Sequence, residues 1–310
     1  MNESRSDKFR TWIVCASYAL LNALGDESTD PLDVENSAGV PFGLASYGAE
    51  YRCARMLTPF TTFWDGAPFV EKIMGIRIKK LSFSNKRDLL IYLKRMSPAH
   101  TILGPISMAS LSYLPLCTQY HSADHYIALE TDASGGYLLT DSEGAPGLKV
   151  SEDDLCQFLN ISEIPEAKGR FHMGIVSLVG NALPRKERTL EIFRLAGLNY
   201  QNAERSGQGG RAFFKCLRVM NELPPSHWIG PIMYELSYLI QRKLMLLKAD
   251  RNRLILTPEC ENHIAAQIKI LAQLRQALSA RRFQDAFNLM PAAAEAESMI
   301  ALKWKEWIAL

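Results

Sequence analysis

Cys15, His125 and Asp141 are the residues whose types and contexts could build a nucleophilic site. A cysteine attacks as the thiolate, and a thiol near its ordinary pKa holds little thiolate at neutral pH. Two devices raise that fraction. One is the N-terminus of a helix, whose aligned peptide dipoles favour an anion. Cys15 stands where the short apolar run "WIV" gives way to the helix-like "CASYALLNALG". The other is an imidazole that takes the thiol proton and later returns it to a leaving group. His125 opens the strand-like "HYIALETD" beside a loop, so its ring can stand at the end of a sheet. Such an imidazole needs a third group to fix its tautomer and orientation. The glycine-rich "ASGG" predicts a turn, after which "GYLLTDS" runs back along the first strand and returns Asp141 to His125. A cysteine–histidine pair with an oxyanion site performs acyl transfer: a thioester forms on the sulfur, and a second nucleophile releases the acyl group.

Each residue alone has a plainer reading. A lone cysteine in "VCASYALL" is usually a small buried hydrophobe, a strand-edge histidine is usually structural, and an aspartate after a strand often caps a turn. Their order and contexts together favour catalysis. His121 is the closest rival as base, but it falls within the preceding loop. Glu130 is the rival acid, on the same strand as the imidazole. His100, His172, His227 and His263 lack an equivalent context.

The elements that must position these groups read as mixed α/β in the first half of the 310-residue chain. Gly25 is placed to end the Cys15 helix, and the polar, proline-containing residues 26–43 read as a loop. "ASYGAEYRCARML" reads as a short helix and "IRIKKLSF" alternates as a strand. "SNKRDLLIYLKRM" predicts a helix capped by Ser84, and "HTILGPISMASL" a buried strand running into a loop. "SEDDLCQFL" predicts a helix with a serine N-cap, and "FHMGIVSLV" another strand. A composition shift at "GNALPRKER" predicts a boundary, with domains over 1–180 and 181–310. Beyond it five segments repeat apolar residues at helical spacing, with "ERSGQGG" (204–210) read as a flexible link.

Residues 1–184 carry 16 Lys/Arg against 21 Asp/Glu, and residues 185–310 carry 19 against 12, so their net charges are −5 and +7. A basic half steers acidic partners, although a solvated helical surface gives the same count. No dense basic run interleaved with aromatics points to nucleic acid, and no apolar run reaches the length of a membrane span. The 6 cysteines include no Cys-x-x-Cys pair, so neither a zinc site nor a disulfide framework is expected. The polar "MNESRSDKFRTW" has no secretory h-region, so a cytoplasmic setting is expected.

Several segments resemble, in order, the butirosin biosynthesis protein H family, whose N-terminal domain is a papain-like cysteine acyltransferase. "CASYALLNAL" resembles its nucleophile helix, and "PFGLASYGAEYR" the small-residue and aromatic segment that follows. "DLLIYLKRMSPAHTILGPISMASLSYLP" resembles its helix, buried strand and "LxYLP"-like loop. "HYIALETDASGGYLLTDSEG" resembles its His-to-Asp hairpin, which is also similar to that of bacteriocin-processing peptidases. The resemblance covers roughly the first half. It implies an α+β fold, a papain-like acyltransferase or peptidase domain followed by a mostly helical C-terminal domain for acceptor binding, a lid or oligomerisation. It carries Cys15 over as nucleophile, His125 as general acid/base and Asp141 as orienting acid.

The implied co-substrate is a phosphopantetheine-linked acyl thioester on an acyl carrier protein, with no bound cofactor or metal. The implied acceptor is an amine on a small molecule in natural-product, including antibiotic, biosynthesis. Lys186, Arg188, Arg194, Arg205, Arg211 and Lys215 are candidate carrier-protein contacts. Papain-like enzymes often place a glutamine a few residues before the cysteine, and "KFRTWIV" has none. The backbone N–H of Cys15 then supplies one oxyanion donor, with Thr11 or the Trp12 indole as the second. A papain-like peptidase, amidase or thioesterase, and a non-catalytic binding protein of the same fold, are the alternatives. The oligomeric state is left open, a homo-oligomer included.

Overall fold

A computed structural model describes residues 14–46, 57–96, 99–115, 117, 123–132, 136–143, 145–162, 164, 167–250 and 255–307. It is a mixed α/β structure with a six-stranded sheet and a helical C-terminal region. The chain packs as two units, residues 1–35 with 70–182 and residues 36–69 with 183–310.

In the first unit, helix α1 (Cys15–Leu24) starts at the cysteine and stops at Gly25, whose φ of 64° suits a residue without Cβ. The N–H groups of Gly25 and Asp26 close the last turn on the carbonyls of Asn22 and Leu21. Residues 26–43, expected as a loop, instead contain helix α2 (Pro31–Ser37). Asp30 Oδ1 accepts the Leu32 N–H at 2.9 Å, and Pro31 begins the helix, where a missing N–H has no consequence.

Two short strands, β1 (Leu44–Ala45) and β2 (Thr58–Pro59), pair with each other, and the six-stranded sheet is assembled from β3 (Ile76–Phe83), β4 (Thr101–Ser107), β5 (Asp124–Thr131), β6 (Tyr137–Asp141), β7 (Ala145–Val150) and β8 (Phe171–Leu178). Their order is β3-β8-β4-β5-β6-β7, antiparallel throughout. Strand β4 is buried along its whole length, as a central strand should be. Pro105 cannot donate to a ladder, and the register between β4 and β5 shifts between Leu103 and Ile106, around it. Gly104 there has φ 149°, and a Cβ on it would stand 2.6 Å from the Tyr126 ring and 2.7 Å from the carbonyl of His125. A glycine is therefore required where β4 passes the histidine.

Helix α1 packs on β5, on its neighbours β4 and β6, and on β8 beyond β4. Helices α4 (Lys86–Met96) and α5 (Glu152–Phe158) contribute Leu89, Leu90, Leu93, Leu155 and Phe158 to an apolar cluster with Leu103, Ile127, Leu129 and Leu139 from the sheet. The α5 cap is the expected serine: Ser151 and Asp154 bond each other's backbone N–H groups in a reciprocal box. The α4 cap is Asn85, not Ser84. Its Oδ1 accepts the Asp88 N–H at 2.9 Å, and its amide donates to Asp88 at 2.8 Å.

The second unit holds α6 (Arg185–Arg205), α7 (Arg211–Glu222), α8 (Ile229–Ala249), α9 (Pro258–Ser279) and α10 (Phe283–Trp307). The contacts differ from an unbroken division at 180/181, because residues 36–69 belong with these helices. Leu44 and Leu57 enter their apolar cluster beside Phe213, Leu236 and Leu274. Buried Glu235 accepts the Leu57 N–H at 2.9 Å, and Asn199 donates to the Gly39 carbonyl at 3.0 Å. Thr62 and Asp65 cap α3 (Phe63–Met74), a helix the apolar pattern did not single out. Most of "ASYGAEYRCARML" lies outside the described residues. "ERSGQGG" is a fixed corner rather than a flexible link. Glu204 Oε1 accepts the Gly210 N–H at 2.7 Å and the Ser298 hydroxyl at 2.8 Å, while the Gly209 N–H reaches the Leu44 carbonyl at 2.8 Å.

Candidate active site

The β5–β6 hairpin closes between Asp132 and Gly136. Asp132 and Gly136 bridge the turn, with the Asp132 N–H on the Gly136 carbonyl at 2.9 Å and the Gly136 N–H on Asp132 Oδ1 at 2.8 Å. Thr140 pairs with Ala128, and Asp141, next along, reaches the imidazole of His125 at the start of β5. The distance from His125 Nε2 to Asp141 Oδ1 is 2.8 Å. Cys15, first residue of α1, hydrogen-bonds the same ring. The ionised carboxylate only accepts, so Nε2 carries the hydrogen that faces it, and Nδ1 is left for the thiol.

All three groups are buried, with 8% of Cys15, 1% of His125 and 5% of Asp141 exposed. Burial pushes the Cys15 thiol up. The hydrogen bond to His125 and its charge act downward, while the carboxylates of Asp124 and Glu35 add to the rise, and the net direction is up. Burial acts to lower His125, but the Asp141 charge and hydrogen bond, with the bond to Cys15, override it and hold the imidazole well above its ordinary value. Burial acts to raise Asp141. The His125 charge and hydrogen bonds from His125, Tyr113 and the Glu143 N–H reverse this and hold the carboxyl below its usual range. Asp141 thus makes the imidazole a stronger base, beside a thiol whose own proton burial holds more tightly. The imidazolium and the helix N-terminus are what stabilise the sulfur once its proton leaves.

Further groups fix this arrangement. Tyr113 donates its hydroxyl to Asp141 Oδ2 at 2.5 Å, and the Glu143 N–H donates to Oδ1 at 2.9 Å. The Tyr113 ring packs edge-on against Phe158 at 5.4 Å. Ser110 holds the turn that leads from β4 toward Tyr113, donating to the carbonyls of Ser107 and Phe158 at 2.7 Å each. Behind the cysteine, the buried Ser17 hydroxyl donates to buried Glu35 at 2.6 Å. Sequence reasoning did not single out Tyr113, Ser17 or Glu35. For Tyr113 the only signal is an aromatic hydroxyl in "SLSYLP", downstream of a strand that ends beside the histidine.

Tyr113→Phe keeps the ring packing and removes one charge-assisted hydrogen bond, so a loss of about 1.5–3 kcal/mol is expected. The Asp141 carboxyl then loses a downward influence and its pKa rises. The check is a thermal melt across acid pH, in which the variant should lose stability at a higher pH than the parent protein does.

Glu130 is exposed on β5, away from the buried ring. His121, Thr11 and Trp12 lie outside the described residues, so of the expected oxyanion donors only the Cys15 N–H is placed. It stands at the first position of α1, where a helix offers no internal acceptor. His172 bonds Ser82 and the Ala167 carbonyl, and burial holds it down at about 4. His100 bonds the Ala23 carbonyl, and His263 that of Ala296.

Lys186, Arg188, Arg194 and Arg205 lie on α6, and Arg211 and Lys215 on α7. Arg188 and Lys215 are half-buried and the other four are exposed. Arg194 pairs with Glu191 at 2.8 Å, and Lys215 donates to Gln208 at 3.1 Å. Among the described residues no group of His, Cys, Asp and Glu could hold a metal ion, and no helix is long and apolar enough to cross a membrane. No protein-family model matches the chain, and no curated protein matches it in sequence.

Proposed function

We propose that the protein is a cysteine-dependent acyltransferase with a papain-like catalytic unit, Cys15 being the nucleophile, His125 the general acid/base and Asp141 the orienting acid. One observation carries the reading. A cysteine at a helix N-terminus shares an imidazole with a buried carboxylate that is 2.8 Å from its Nε2. A structural histidine needs one partner; this ring links a thiol to an acid.

The donor is an acyl thioester on the phosphopantetheine arm of a carrier protein. His125 takes the thiol proton as the Cys15 sulfur attacks the carbonyl carbon, and the intermediate collapses by breaking the bond to the carrier's sulfur, which leaves with that proton. One thioester replaces another, so this half is near thermoneutral. The acceptor amine then attacks the acyl-enzyme carbonyl. His125 takes the amine's proton and returns it to the Cys15 sulfur as that carbon–sulfur bond breaks. An amide replaces a thioester, so this half runs downhill. The Cys15 N–H faces the oxyanion in both halves. The setting is cytoplasmic natural-product assembly.

Comparing an amine acceptor with water, on the same carrier-bound acyl group, tests the assignment. Amide formation in excess of hydrolysis is expected, and hydrolysis alone would make the protein a thioesterase. The basic residues of α6 and α7 suit the acidic helices of a carrier protein. Raising salt from 50 to 500 mM is therefore expected to weaken carrier affinity about tenfold or more. An affinity unmoved by salt removes these residues from the account.

A non-catalytic protein of the same fold is the second reading. It is favoured by the burial of Cys15 and the upward displacement of its thiol. Failure of Cys15 to react with a small thiol probe at pH 9 would select it.

A further inference from the structure

The helical unit contains two adjacent cations in α8 that are treated in opposite ways. Lys243 is 1% exposed and paired: its ammonium lies 2.6 Å from Glu297 Oε2 and 3.0 Å from the Tyr200 hydroxyl. Gln267 donates to the same Glu297 oxygen at 2.7 Å. Arg242, the preceding residue, is equally buried at 1% exposure. Neither its Nε nor its Nη2 meets an acceptor among the described residues. Its guanidinium carbon lies over an aromatic face, 3.8 Å from the Tyr238 ring centroid.

A guanidinium cannot shed its charge to escape burial as a lysine or histidine can. A ring face offsets part of the desolvation but accepts no in-plane hydrogen bond. The two unmatched donors are also a particular pair. Nε–H and Nη2–H lie on one edge of the planar group, parallel and spaced to meet the two oxygens of one oxyanion. The same edge is in use elsewhere in this protein, where Arg77 donates through Nε to Glu71 Oε2 at 3.1 Å and through Nη2 to Oε1 at 2.7 Å. At Arg242 no carboxylate among the described residues meets that edge.

We propose that the Nε/Nη2 edge of Arg242 is a buried binding site for an oxyanion, a carboxylate or a phosphate group of a small molecule, held within the helical unit. Tyr238 fixes the plane of the guanidinium, and the ligand supplies the in-plane acceptors. The site does not depend on the acyl-transfer reading, since every residue in it belongs to the helical unit.

Thermal unfolding of the full-length protein, exchanged into chloride buffer, tests this with acetate and inorganic phosphate as probes at constant ionic strength. At a hundredfold excess over the dissociation constant the midpoint should rise by about 4 °C. A response to acetate alone identifies a carboxylate site, and a response to phosphate alone a phosphate site. Arg242→Lys keeps the charge but loses the fork, and should lose most of the rise. Arg242→Met should lose all of it. No oxyanion-specific rise in the parent protein overturns the proposal, as does an undiminished rise in Arg242→Lys. The first of these readings needs no variant to fold.

Discussion

Replacing Cys15 with alanine is expected to abolish acyl-enzyme formation and cut amide-forming turnover by about a thousandfold or more, the scale on which triad enzymes lose rate with their nucleophile. Cys15→Ser should do little better, because a serine hydroxyl is a poorer attacking group against an imidazole already paired with Asp141. Neither change should unfold the protein. The cysteine contributes one sulfur at the first position of α1, and the helix is anchored by Tyr18, Leu20, Leu21 and Ala23, all buried. Melting midpoints near that of the parent would assign the rate loss to chemistry. Full turnover in Cys15→Ala would leave the thiol with a packing role.

The second large effect is expected at Asp141. Asp141→Ala strands the buried imidazole of His125 and the hydroxyl of Tyr113 together, and removing one partner of a buried pair costs about 3–5 kcal/mol. The loss depends on pH in a direction that the two groups fix. The Asp141 carboxyl is held below its ordinary 3.8, so its stabilising contribution is present above 3.8 and fades as pH falls through the folded value. The His125 imidazole is held well above its ordinary 6.5, so its contribution is complete below 6.5 and fades as pH rises through the folded value. Both are complete only between those two ordinary values. The gap in melting midpoint between Asp141→Ala and the parent should be widest near pH 5 and should narrow at alkaline pH. Asp141→Asn keeps the shape and an acceptor oxygen, so it should recover part of the stability without the pH dependence. A gap that is flat with pH would mean that no charged pair exists at this position.

The hairpin was legible in the sequence because its signals are local. Alternating apolar residues and a glycine turn fix where Asp141 must return. The Cys15 helix and the serine cap at Ser151 are local in the same way. What could not be read depends on distant partners. Tyr113 reaches Asp141 only because Ser110 ties the turn after β4 to Ser107 and Phe158. Residues 36–69 sit in the sequence among sheet-forming segments, yet Leu57 donates its N–H to Glu235, far along the chain. Ser84 and Asn85 are both acceptable caps by composition, and only the placement of Asp88 selects Asn85. The glycines of "ERSGQGG" resemble those of a linker until Glu204 and Leu44 are seen to hold them. The unmatched edge of Arg242 is invisible in "LIQRKLM", where it reads as one more basic residue on a helix.

Intact-mass spectrometry of the protein mixed with acyl-loaded carrier protein, in the absence of any amine, addresses the central claim most directly. The account predicts a mass gain equal to the acyl group, mapped by peptide analysis to Cys15 and discharged when an amine is added. An unmodified Cys15 beside a carrier protein that keeps its acyl group, at every pH from 6 to 9, would contradict it.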